Sequence, residues 1–197
     1  MTIIFKKQEI EDKVLDMPKF NLNNLGKPVS SPQNVVLILE SFESKMTLLG
    51  YNEFTGALEK LDKTPWGTLK GEWDSEDTSL FSVYIDNQFH FTPKKDYIED
   101  AVLEVARRRK FNPVKERIES VEWDGEPRVK YFFQTLLGCE NNIYTREVSE
   151  MFLTGLIGRV YKPGIKFDNV PVLIGPQGIG KSTVARRLLP DAFTDTP

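Results

Sequence analysis

One segment constrains this sequence more than any other. Residues Gly175-Pro176-Gln177-Gly178-Ile179-Gly180-Lys181-Ser182 read G-x-x-x-x-G-K-S, the pattern of a phosphate-binding loop. A β-branched apolar run, Val170 to Ile174, leads into it and reads as a short buried parallel strand. A helix is predicted after it, over Thr183 to Leu189. Strand, glycine loop and helix in that order have a physical purpose. The glycines let the backbone curl so that several N–H groups face inward as an anion nest. The helix start adds its positive dipole end. Lys181 would reach the β- and γ-phosphates, and Ser182 would place its hydroxyl on Mg²⁺. Thr183 extends the helix start. The competing reading is a glycine-rich turn with an incidental Lys-Ser pair.

Binding and hydrolysis are separate questions. Fifteen residues follow Ser182. Hydrolysis on such a loop needs a second strand carrying acids that hold Mg²⁺ and orient the attacking water, plus a cation for the transition state. Asp191 and Asp195 follow the helix in a turn-like tail, and no apolar run precedes either. No catalytic residue is assigned. The expectation is a chain that, as given, does not turn over ATP, and that is a fragment or a naturally shortened gene product.

Composition excludes several other classes. The 197 residues hold 26 bases and 29 acids, a net charge of −3, so a strongly basic nucleic-acid coat is ruled out while a local basic patch is not. One cysteine, Cys139, leaves no intrachain disulfide and, with His90 as the single histidine, no Cys/His metal cluster. No apolar run approaches the ~20 residues that span a bilayer. The apolar stretch within Met1 to Lys7 is too short for a signal peptide. The expected setting is a reducing cytoplasm with no membrane contact. There is no internal repeat and no low-complexity tract.

Residues 1–29 alternate in charge and then turn rich in Asn, Gly and Pro, which reads as a flexible arm. Ser31-Pro32 is a helix start with Ser as N-cap, and Val35, Val36, Leu39, Phe42 and Met46 recur at helical spacing. Leu48 to Leu61 reads as two short strands around a turn at Gly56. Thr64-Pro65-Trp66-Gly67 is a loop with an aromatic anchor. Asp74 or Ser75 caps a helix whose expected apolar face is Leu80, Val83 and Tyr84. Thr92-Pro93 is a second cap-plus-proline start, for a helix with Ile98, Ala101, Val102, Val105 and Ala106 on one face. That helix ends in Arg107-Arg108-Arg109-Lys110, cations suited to a helix C-terminus. Helices are predicted at Val114–Ser120, Tyr131–Leu137 (stopped by Gly138) and Thr145–Val160. The last has an expected face of Val148, Phe152, Leu156 and Ile157 and is closed by Pro163-Gly164.

Three segments together support a resemblance. Glu122-Trp123-Asp124-Gly125-Glu126-Pro127-Arg128, Arg159-Val160 with Pro163-Gly164 and Lys166-Phe167-Asp168, and the glycine loop 175–182 resemble the virulence-associated protein E family. Its members are P-loop ATPases of phages, prophages and pathogenicity islands, related to replicative helicases of the superfamily 3 and AAA+ type. Tyr51-Asn52-Glu53-Phe54, Thr64-Pro65-Trp66 and Phe111-Asn112-Pro113-Val114 resemble the region before the ATPase. The resemblance covers about residues 30 to 197. It implies a DNA replication protein of a mobile element that uses ATP and Mg²⁺ in a bacterial cytoplasm. It further implies single-stranded or forked DNA and other replication proteins as partners, and a homo-oligomer when the ATPase domain is complete. The nucleotide-binding positions it carries over are Gly175, Gln177, Gly178, Gly180, Lys181, Ser182 and Thr183, with Ser182 on the metal. The family's Walker B acids, sensor and arginine finger have no counterpart in this sequence.

The expected fold class is α+β. A flexible arm (1–29) precedes a helix-rich α+β N-terminal domain (30–120). A helical lead-in (121–169) then leads to the first strand, loop and helix of an incomplete α/β P-loop NTPase core (170–197). Arg107, Arg108, Arg109 and Lys110 are candidate DNA contacts. Against that stand a solvated helix end and pairing with the acids of residues 72–87. Trp66, Trp73 and Trp123 read first as core or loop anchors and second as base-stacking platforms. In the W-D-G loop Trp123 is expected to pack, Asp124-Gly125 to turn and Pro127 to start the next helix, with a subunit contact as the other role. His90 reads as a packed or surface histidine and Cys139 as an inert thiol. The alternative function is a stand-alone interaction module that interferes with host or phage replication without enzymatic activity. A P-loop kinase or small NTPase ranks lower, because the N-terminal half fits no such fold.

Overall fold

The computed structural model describes residues 18–188 and Pro190. The expected arm at 1–17, the helix end at Leu189 and the tail acids Asp191 and Asp195 lie outside the described residues. The chain divides into two compact units, one up to Phe111 and one from Asn112 onward.

The first unit is α+β. Helix α1 (Pro32–Glu43) starts where Ser31-Pro32 predicts, and the Ser31 side chain accepts the Asn34 N–H. Its buried face is Val35, Val36, Ile38, Leu39 and Phe42. Strands β1 (Leu49–Asn52) and β2 (Ala57–Lys60) pair antiparallel as the hairpin around Gly56. Strand β3 (Gly71–Glu72) pairs antiparallel with β2. Helix α2 (Ser75–Phe89) opens with a capping box between Asp74 and Asp77. Helix α3 (Lys95–Arg108) packs against α1, α2, β1 and β2, so it is the centre of this unit. Its buried face is the predicted Ile98, Ala101, Val102, Val105 and Ala106. Strand β4 (Lys110–Phe111) then lies parallel to β1 and gives a sheet of order β3-β2-β1-β4.

Four expectations change here. Residues 18–29, part of the expected arm, are pinned to α1. The buried Asn34 amide donates to the carbonyls of Asn21 and Val29 and accepts the Asn21 N–H, and the Phe20 ring packs edge-on to Phe89 and Phe91. Those bonds satisfy backbone groups that a strand or helix would otherwise have to satisfy. The α2 face is different in part, since Tyr84 packs against the core as expected. Phe81, Ile85 and Phe89 are buried with Asp77 and Thr78, while Leu80 and Val83 are exposed. The capping box sets where the helix begins, and its phase follows from that. Thr92 does not cap α3. Lys94 holds that position without a side-chain bond, and the Thr92 hydroxyl donates to Asp86. Finally, Arg109 to Phe111 leave the helix for the sheet, a strand too short for any alternation to announce.

The Trp66 loop does anchor in the core. Its ring meets Phe81 at 4.3 Å, Trp73 at 5.7 Å and Tyr84 at 6.1 Å between centroids. Beside this cluster sits a buried ion pair that sequence patterning gave no reason to expect. Lys60, 6% exposed, donates to the Oδ2 of Asp77, 1% exposed. His90 is an exposed left-handed C-cap of α2 (φ 59°).

The second unit is helical among its described residues. Helix α4 (Pro113–Glu119) is capped by Asn112, which accepts the Lys115 N–H. A single 3₁₀ turn (Val129–Tyr131) runs into α5 (Phe132–Leu137), which stops at Gly138 as predicted. Helix α6 (Ile143–Tyr161) begins two residues before the expected Thr145, at the Asn142 cap. Ser149 and Val160 are its buried residues, with Phe152 stacked on Phe133 at 5.6 Å. Helix α7 (Lys181–Leu188) follows the glycine loop. The predicted strand over Val170–Ile174 does not form. The run is irregular, with Val170 81% and Ile174 92% exposed. A strand needs a neighbour for its N–H and C=O groups. Among the described residues of this unit none is offered.

Candidate functional site

The glycine loop winds around one cation. The Lys181 ammonium donates to the carbonyls of Gly175 and Pro176, both at 2.8 Å. Gly178 and Gly180 sit at φ 87° and 93°, backbone that side-chain-bearing residues rarely adopt, and this is what curls the loop back on itself. At Gly175 a Cβ would come within 2.9 Å of the tip of the exposed Ile179 side chain, which can turn aside. The Val184 N–H bonds to the Gly180 carbonyl at 2.9 Å and closes the first turn of α7. The free N–H groups of that turn therefore open toward the loop. Gln177, Ser182 and Thr183 are exposed there. Positive charge collects at this helix, with Lys181 at its start and Arg186 and Arg187 in its last turn.

A nucleoside triphosphate fits this donor set, because an ammonium, helix N–H groups and two hydroxyls all favour anionic oxygen. Mg²⁺ fits more loosely. The Ser182 hydroxyl would supply one oxygen ligand, and among the described residues no group of three or more His, Cys, Asp or Glu gathers to hold a metal. Mg²⁺ with one protein ligand draws the rest of its shell from phosphates and water.

The basic run 107–110 is in the first unit, and its cations have partners inside that unit. Arg108 bridges Glu40 and Glu104, both at 2.6 Å. Arg109 meets Glu43 at 2.8 Å. Lys110 lies 3.6 Å from Glu53, and the Arg107 guanidinium lies 5.7 Å from the centre of the Tyr51 ring. The acids of residues 72–87 are not these partners. Glu43 has a double task, since its other oxygen accepts the N–H groups of Leu48 and Leu49 at the start of β1.

The W-D-G loop turns as expected but packs differently. Gly125 has φ 89°, and Asp124 accepts the Glu126 N–H and the Arg128 guanidinium, the latter at 2.7 Å. The Arg128 hydrogen bond, helped by the Glu126 N–H, pulls the Asp124 carboxyl down to a pKa of about 2. Trp123, expected to pack, is 78% exposed, and its indole N–H donates to the Glu126 carbonyl. The loop closes on itself through Asp124–Arg128, so it has no need of an aromatic anchor. Pro127 precedes the 3₁₀ turn at Val129 and does not begin it. Cys139 is a half-buried free thiol.

Comparison with known proteins agrees with the motifs of this unit. The family model of the virulence-associated protein E-like domain matches residues 118–197. The matched span takes in the W-D-G loop, α5, α6, the glycine loop and α7. The C-terminal part of the chain is therefore similar to a virulence-associated protein E-like domain. Residues upstream of 118, where further resemblance was expected, are outside that match. No curated protein matches the chain.

Proposed function

We propose that loop 175–182 binds the phosphates of ATP, with Mg²⁺ on Ser182, and that the chain is part of a mobile-element replication protein. Gly175, Gln177, Gly178, Gly180, Lys181, Ser182 and Thr183 form the binding loop. The observation that carries the reading is the position of Lys181. Its ammonium is already drawn into the curl of the loop, at the start of α7, where helix N–H groups converge. Two of its three protons engage loop carbonyls and the third can donate to a phosphate oxygen. Mg²⁺, when bound, neutralises phosphate charge and orients the β- and γ-phosphates.

The virulence-associated protein E-like domain supports the mobile-element setting. The basic run 107–110 adds less support for DNA contact, because carboxylates of the same unit hold three of its four cations.

A fluorescent ATP analogue titrated with Mg²⁺ into wild type and Lys181→Ala tests the loop. A charge-assisted hydrogen bond contributes about 1.5–3 kcal/mol, so affinity falls about tenfold to a hundredfold in the variant. Equal affinity in the two proteins refutes the reading. Gel shifts with single-stranded and forked DNA across a salt series test the replication role, and absence of binding at low salt refutes DNA contact by this chain.

A further inference from the structure

A cavity of about 260 Å³ opens between α5 and α7, against the end of the glycine loop. We propose that it takes the base of the nucleotide, and that the chain selects purine nucleoside triphosphates by stacking on Phe132. The inference rests on the phosphate reading of loop 175–182. It adds the part of the ligand that the loop does not touch.

Gly180 and Thr183 belong to the loop and its helix start, and both line the cavity. A ligand with its phosphates on the loop has its remaining bulk directed along a wall the two sites share. Two larger cavities of the same unit, about 350 Å³ beside Val114 and Leu156 and about 550 Å³ beside Arg128 and Asn141, include no loop residue.

Phe132 and Leu136 from α5 face Val184 from α7, one helical turn after Gly180. This is an apolar slot with a flat ring on one side, suited to a neutral heteroaromatic face and unsuited to a second anion. Arg187 and Leu188 line it farther along α7. Phe132 and Leu136 are four residues apart, so α5 presents them on one face.

The Phe132 ring lies edge-on to Phe133 at 5.2 Å, and Phe133 is buried and stacked on Phe152. The ring is thus held by the core of the unit while it also lines the cavity. A base meeting a ring already in place has less side-chain freedom to quench. Every base offers a π-face, so discrimination follows stacking area, and purines exceed pyrimidines.

Calorimetric titration of the full chain with Mg²⁺ and ATP, CTP or inorganic tripolyphosphate tests this. Wild type is expected to bind ATP about tenfold more tightly than tripolyphosphate, with CTP between them. Phe132→Ala and Leu136→Asp bring ATP down to the tripolyphosphate level and leave tripolyphosphate binding unchanged, while Phe132→Tyr keeps the ATP advantage. Leu136 is half exposed, so its substitution spares the fold even if Phe132→Ala does not. Equal wild-type affinity for ATP and tripolyphosphate overturns the base site and leaves the phosphate loop standing. So does equal weakening of both ligands in Leu136→Asp. If tripolyphosphate binding is absent or indifferent to Lys181→Ala, the loop reading itself fails, and the base site with it.

Discussion

Removing one partner of the Lys60–Asp77 pair is expected to damage the first unit far more than removing both. The two side chains are 6% and 1% exposed. Asp77→Leu leaves an ammonium inside the aromatic end of the core. It also removes the acceptor of the Asp74 N–H, half of the capping box that starts α2. Breaking a buried pair costs about 3–5 kcal/mol, because the surviving charge keeps its desolvation penalty. Losing a capping interaction adds about 1 kcal/mol. Lys60→Met leaves the Asp77 carboxylate with the Asp74 N–H at 3.1 Å as its donor, and Oδ1 has no partner in either case. That variant is expected to lose about 3 kcal/mol. In the double variant both charges are gone and mainly the capping loss of about 1 kcal/mol remains. The coupling is then several kcal/mol, well beyond the ~0.5 kcal/mol scatter of independent sites. Urea unfolding followed by Trp66 and Trp73 fluorescence measures it, in a Trp123→Phe background so that the second unit is silent. If the double variant loses the sum of the singles, the desolvation argument is wrong. A single variant losing under about 1 kcal/mol refutes it equally, since the pair is then not buried as a charge pair.

Two further outcomes follow from the second unit. Alanine in place of a helical glycine ordinarily stabilises by about 1 kcal/mol, but a Cβ at Gly155 would overlap the Phe167 ring. That ring lies under Arg159, whose guanidinium also bonds the Phe167 carbonyl at 2.7 Å. Gly155→Ala is expected to destabilise by about 1–3 kcal/mol, and to stabilise instead in a Phe167→Ala background, as read by thermal unfolding; stabilisation in the wild-type background refutes the packing. The Asp124–Arg128 closure of the W-D-G loop is acid-sensitive. The folded pKa of about 2 lies below the ordinary 3.8, so its contribution is complete above about pH 4 and is lost as pH falls toward 2. An NMR titration of the Asp124 carboxyl with a midpoint near 4 would show that Arg128 does not hold it.

Local chemistry decides much of this chain, and it can be read residue by residue. Ser31-Pro32 starts α1, Asp74 starts α2 and Gly138 stops α5, because each acts on backbone groups within a few residues. The α3 face was legible because five apolar positions repeat at 3.6 residues. The G-x-x-x-x-G-K-S spacing likewise places two positive-φ glycines and Lys181 in one curl. Non-local matters were not legible. Sequence alone gave no reason for Lys60 to meet Asp77, for the 107–110 cations to meet Glu40, Glu43 and Glu53, or for Phe132 and Leu136 to line the wall beside the loop.

The run Val170–Ile174 shows the limit most plainly. Its composition is that of a buried strand, yet a strand is a property of two segments and no second one pairs with it among the described residues. The amino-acid sequence by itself determined the caps of α1 and α2, the stop at Gly138, the α3 face and the phosphate-loop pattern, all of which depend on neighbours within a turn or two. The tertiary structure alone decided which charges pair, which aromatic rings are buried and which surface lies beside Lys181, because those energies arise only when distant segments exclude water together.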